Sequence, residues 1–177
     1  RGGKVFNRTA PVIKLPAGAS EAEHSALLGL LNSSTACFWG RQTFFGRGGF
    51  SDGKWQERVE WDGTKLKNFP VVKDESGKII AYAQKMDELS QALAKLQPAI
   101  ALEGKTGDIA EHLEKLRSEE QSVFRQMVAL QEEIDWYVYS LYGLVTQSFC
   151  YSGNLPEIKL GEREFKDFMT GQMKEIT

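Results

Sequence analysis

The chain has 177 residues, enough for one domain with a core or for two small lobes, and it is 41% hydrophobic and 26% charged, the balance of an ordinary folded chain. No apolar run reaches the ~18–20 residues of a membrane span, so a membrane role is not expected. The net charge of −2 hides a division, because residues 1–70 carry a net +4 and residues 71–177 a net −6.

The opening "RGGKVFNRTAPVIKLP" lacks both an initiator Met and the apolar stretch of a secretory leader. It reads as a piece of something longer, located in a cytoplasm. With Pro11 and Pro16, its second half suggests an edge strand or an extended lead-in. Ser20 then offers an N-cap with Glu23 in capping-box position, followed by an apolar face of Ala26, Leu27, Leu30 and Leu31. Asn32-Ser33-Ser34 interrupts that face. Ser34 or Thr35 is expected to cap a second short helix anchored in the core by Phe38 and Trp39. "FFGRGGFSDGK", with four glycines in eleven residues, suggests a loop or wide turn. The run "WQERVEWDGTKLKNFPVV" alternates at Trp55, Val59 and Trp61, with Asp62-Gly63 as a turn between two short strands. Residues 1–72 therefore suggest a small mixed α/β lobe.

The pattern then changes. Met86, Leu89, Leu93, Leu96 and Ile100 step by three and four, an a/d stripe with Pro98 near its end. Asp108, with Glu111 three residues on, restarts the pattern. Ile109, Leu113, Leu116, Val123, Met127, Leu130, Ile134, Val138 and Leu141 continue it. Such a pair predicts an antiparallel two-helix, coiled-coil-like hairpin over 73–143, capable of supporting a dimer. A loop and a last helix from about Gly161 fill 144–177. The fold class expected is α+β: recognition lobe, helical hairpin, C-terminal helix.

Little in the sequence points to catalysis. Cys37 and Cys150 are too far apart for a CxxC site and read as buried thiols. His24 and His112 are isolated, so no metal site is expected. No phosphate loop, GxSxG or HExxH pattern occurs. The carboxylate pairs Glu119/Glu120 and Glu132/Glu133 read as solvated helix faces. What remains is a set of cations and one amide in or beside the first part's loops and strands: Arg41, Gln42, Arg47, Lys54, Arg58, Lys65 and Lys67. Arg pairs bidentately with guanine, Gln with adenine, and Lys or Arg with phosphates. Double-stranded DNA is the partner this set suggests. A protein-interaction module acting through the helical hairpin is the alternative.

Taken in series, "FNRTAPVIKLP", "LLGLLNSSTACFW", "EWDGTKLKNFPV" and "MVALQEEIDWYVYSLYGL" resemble the C-terminal part of large adenine-specific DNA methyltransferases. The nearest look-alikes are the PglX-type enzymes of BREX phage-defence systems and the single-chain type IIG restriction-modification enzymes. The layout of helix ending "LNS", strand "LKNFPV" and long helical spacer also resembles half of a type I specificity subunit. The resemblance implies a region that follows the catalytic domain and helps recognise the DNA target. It implies S-adenosylmethionine as cofactor of a catalytic domain outside these residues, whose Asn-Pro-Pro-Tyr and glycine-rich motifs are not in this sequence. The remainder of the parent polypeptide would then be a partner of this chain.

Overall fold

The computed structural model describes residues 12–51, 54–104 and 107–165, with 47–51 and 54–60 described by their backbone alone. These residues form α1 (Glu21–Leu31), α2 (Ser34–Thr43), β1 (Phe45–Ser51), β2 (Lys54–Glu60), α3 (Gly63–Leu66), α4 (Lys78–Lys95), α5 (Pro98–Ala101) and α6 (Ile109–Leu141). The expected α+β class is corrected by this inventory: the chain is essentially all-α. Among the described residues the core cluster joins Leu30 of α1, Ala36 of α2, Phe69 of the α3–α4 link, Ile79 of α4, and Leu130, Ile134 and Val138 of α6. Among the described residues the β structure is a single antiparallel hairpin, β1 against β2, with no helix-covered sheet behind it.

Local chemistry explains most helix ends. Ser20 accepts from the Glu23 N–H, and Glu23 reaches back to the Ser20 N–H at 2.7 Å, closing the capping box that starts α1. The break at 32–34 does cap a helix, but through Ser33, whose side chain accepts from the Ala36 N–H. Asp62-Gly63 is not a turn between strands. Asp62 accepts from the Thr64 N–H and caps the short α3, while the segment expected as the strand "LKNFPV" is helix end and irregular link. Asp108 caps α6 by accepting from the Ala110 and Glu111 N–H groups. Pro98 does not kink α4, which ends at Lys95; it opens α5, where its missing N–H costs nothing.

α4 and α6 run antiparallel. Asp74 meets Tyr137 before α4 begins, and one turn into α4 Tyr82 meets Glu133, so rising numbers on one element pair with falling numbers on the other. α1 packs on α4 at Gly29, where a Cβ would stand 2.8 Å from Ile79 Cγ1 and 3.3 Å from the Ile79 carbonyl oxygen. The glycine lets the two helices approach to this distance.

The second half of α6 is buried all round, not along a stripe. Leu130, Ile134 and Val138 face the core, while the opposite side carries Glu132, Asp135 and Trp136, all buried. The segment after α6 covers that side: Phe149 and Phe165 pack on Trp136 at ring-centroid distances of 4.8 and 4.9 Å. The expected C-terminal helix shows only its first residues, 164–165; the rest lies outside the described residues, as does most of the lead-in before Val12.

Candidate nucleic-acid interface

The expectation that Glu132 and Glu133 lie on a solvated face is overturned. Both are buried, and with Asp135 they form the polar layer that holds α2 in place. Glu132 accepts from Trp136 Nε1 at 2.8 Å, from the Phe165 N–H at 2.6 Å and from Arg163 Nε at 3.0 Å. Arg163 also donates through Nη2 to Asp135 Oδ2. Asp135, fully buried, accepts from the Ser34 N–H at 2.6 Å and the Ser34 hydroxyl at 2.8 Å. A carboxylate at the first turn of α2 also meets the positive end of the helix dipole. Glu133 accepts from the Tyr151 N–H at 3.0 Å, and burial pushes its carboxyl above the ordinary value, against the pull of that bond, Lys78 and Tyr82. Every acidic group here has a partner within the chain. Among the described residues no group of three His, Cys, Asp or Glu is placed to hold a metal ion.

α2 so fixed ends in an aromatic column. Trp39 stacks edge-on against Phe44 at 5.7 Å and against Phe69 at 5.2 Å, and Phe44 lies 5.0 Å from Trp61. Of the two expected anchors only Trp39 enters the core; Phe38 is 56% exposed. Cys37 is exposed and Cys150 half-buried, so neither is the buried thiol expected; burial does push the Cys150 thiol up.

The seven candidate residues separate into groups. Arg41 and Gln42 stand exposed at the end of α2, one residue before the chain enters the hairpin. Lys65 is committed to the fold: its Nζ donates to the Thr43 carbonyl and sits 3.3 Å from the centroid of the Phe45 ring. Lys67 is exposed on another side, lining a groove with Lys14, Leu27 and Val71. Arg47, Lys54 and Arg58 lie on the hairpin, because the glycine-rich stretch expected as a loop is strand β1. The register places Arg47 directly opposite Arg58 and Ser51 opposite Lys54, with Phe45 opposite Glu60. By the two-residue period of a strand, Phe45, Arg47, Lys54, Arg58 and the acidic Glu60 occupy register positions of one face, and Lys65 joins them through Phe45. The arrangement thus brings together Arg47, Lys54, Arg58 and Lys65, with Arg41 and Gln42 next to them along the chain, and leaves Lys67 apart.

Glu132, Asp135 and Arg163 escaped the sequence reading. The usable signal was "EEIDW", where Glu132, Asp135 and Trp136 recur at helical spacing on the side away from the stripe.

The chain is similar to a segment of a bacterial adenine-specific methyltransferase. It is 42% identical over 180 residues to the adenine-specific methyltransferase PglX of Streptomyces coelicolor. The match covers 94% of this chain and 14% of that protein, so the chain spans a small fraction of its relative's length. No protein-family model and no solved structure matches the chain. Among the described residues no helix is long and apolar enough to cross a membrane.

Proposed function

We propose that this chain is the double-stranded DNA target-recognition part of an N6-adenine methyltransferase, acting in a bacterial phage-defence or restriction-modification system. Similarity to PglX along nearly the whole chain supports the parent, and the register of the hairpin supports the face. Arg47 opposite Arg58, with Lys54 at the hairpin's tip, is a like-charged rung; Glu60 is the acidic position beside it on that face, so the cations outnumber it and an external anion would relieve the repulsion that remains. A phosphate backbone is such an anion. In this reading Arg41, Arg47, Lys54 and Arg58 hold phosphates of the duplex, Lys65 supports the hairpin through Phe45, and Gln42, exposed at the helix end, reaches a base edge. Lys67, on another side, contributes at most a peripheral phosphate contact. Methyl transfer and S-adenosylmethionine belong to a catalytic domain elsewhere in the polypeptide, and α4–α6 fix the recognition face relative to it. Adenine methylation needs the target base turned out of the duplex, and this face would hold the flanking DNA meanwhile.

A second reading, a protein-interaction or dimerisation module, draws on Ile100, Ile109 and Phe124, which are exposed on α5 and α6. The two separate by salt. Electrophoretic retardation of a duplex should weaken steeply as salt rises, whereas sedimentation should show a monomer at every salt. A salt-resistant dimer that ignores DNA would reverse the choice.

A further inference from the structure

Beside Arg41 lies a groove of about 340 Å³, lined by Cys37, Phe38, Arg41, Phe44 and Trp61 among others. Phe38 is 56% and Trp61 39% exposed, and Phe45, just along the chain, is 68% exposed. Large aromatic side chains left open and grouped around a concavity mark a binding surface more than a folding need. Its walls are aromatic, and among the described residues an arginine is the one charged group that lines it. Phe44 at its base is fixed from behind by Trp39, so the groove is preformed.

Resting on the DNA-recognition reading, we infer that this groove takes a single unpaired nucleobase, stacked on the rings of Phe38 and Trp61, with Arg41 on the adjoining phosphate. A base offers a π-face to aromatic rings whatever its identity, and the cations of the hairpin, which α2 leads into along the chain, suit the adjoining backbone. A fully paired duplex presents no such face. The groove therefore favours DNA in which one base already stands out of the stack, where little unstacking energy remains to be supplied. An acidic or apolar peptide suits the groove less well, because it offers neither a flat π-face for the exposed rings of Phe38 and Trp61 nor a phosphate for Arg41.

The test compares two labelled duplexes, one intact and one carrying a single bulged 2-aminopurine, bound to the 177-residue chain. Three readouts are followed: affinity, 2-aminopurine fluorescence and alkylation of Cys37 scored by mass spectrometry. Cys37 lines the groove and is exposed, so an occupied groove shields it; half-buried Cys150 serves as the internal reference. The expected result is about tenfold tighter binding of the bulged duplex, the scale of one base stacked on an aromatic ring. Quenched fluorescence and slowed Cys37 alkylation accompany it. Phe38→Ala, at an exposed position that the fold does not depend on, abolishes the preference and keeps the thermal midpoint. Equal affinity for the two duplexes with Cys37 equally reactive would overturn the base site and leave DNA recognition standing. Failure to bind either duplex would overturn both.

Discussion

Asp135 and Ser34 lie 101 positions apart, yet one carboxylate takes both the backbone N–H and the hydroxyl of Ser34, at 2.6 and 2.8 Å. This pair fixes the start of α2 to the buried half of α6, and Arg163 compensates the charge. Everything at the far end of α2, from Phe38 to Gln42, takes its position from that clamp. Asp135→Ala leaves Arg163 partly unpaired and two donors of Ser34 unsatisfied. It is expected to cost about 3 kcal/mol and to lower the thermal midpoint by about 10 °C. An unchanged midpoint in calorimetry would mean that the clamp contributes nothing.

Two carboxyl groups give opposite pH signatures. Burial raises Glu133, so the folded chain holds its proton more tightly than the unfolded one. Its contribution favours folding in acid and is lost as pH rises from the ordinary carboxylate range of about 4.3 through its raised folded value. Glu133→Gln should be more stable than the parent at neutral pH and show no advantage in acid. For Asp74, burial pushes upward, but hydrogen bonds from Tyr137, Ile79 and Ser76 outweigh it and lower the carboxyl on balance. Its stabilisation is present above the ordinary aspartate value and fades as pH falls through the lowered folded one. Asp74→Asn should therefore lose stability at neutral pH and converge on the parent in acid. Urea midpoints at intervals between about pH 3 and 8 would display both curves.

How much of this was legible beforehand follows from which contacts are local. The Ser20/Glu23 box and the Asp108 cap join residues within a turn, and the α4–α6 stripe repeats within each helix, so each left a pattern in the sequence. The alternation at Trp55 and Val59 marked β2, but β1 left no such sign, because glycine in "FGRGGFS" reads as loop until β2 supplies a partner. Without that pairing a mixed lobe was assumed around Trp55 and Val59, where the chain forms only a hairpin beside a helical core. Glu132 and Glu133 looked solvated because residues that cover them, from Phe149 to Phe165, come later in the chain. A helical stripe reports one buried face and is silent on a second. The cations of the candidate interface were nameable from composition, but the opposition of Arg47 and Arg58 needed the register.

Gly29 tests the packing of α1 on α4. Alanine raises helix propensity by about 1 kcal/mol, yet its Cβ would collide with Ile79, which is fully buried. Overpacking of this kind costs about 1–3 kcal/mol, so Gly29→Ala should be destabilising in net. Ile79→Ala removes both Cγ1 and Cδ1, which stand 2.8 and 2.9 Å away, so the double variant should be more stable than the two single losses added together. Additive losses in chemical denaturation would show that the two positions do not touch.

The central claim is that the hairpin and the end of α2 form a DNA-binding face. The most direct measurement is fluorescence anisotropy of a labelled random-sequence duplex at about 50 and 200 mM salt, the span over which phosphate-led affinity collapses. The parent chain is compared with the triple charge reversal Arg41→Glu, Arg47→Glu, Arg58→Glu. The expected result is binding that weakens at least tenfold across that span and is absent in the triple variant, with the thermal midpoint of the variant retained. Binding that survives the reversal, or no binding by the parent at the lower salt, would contradict the claim.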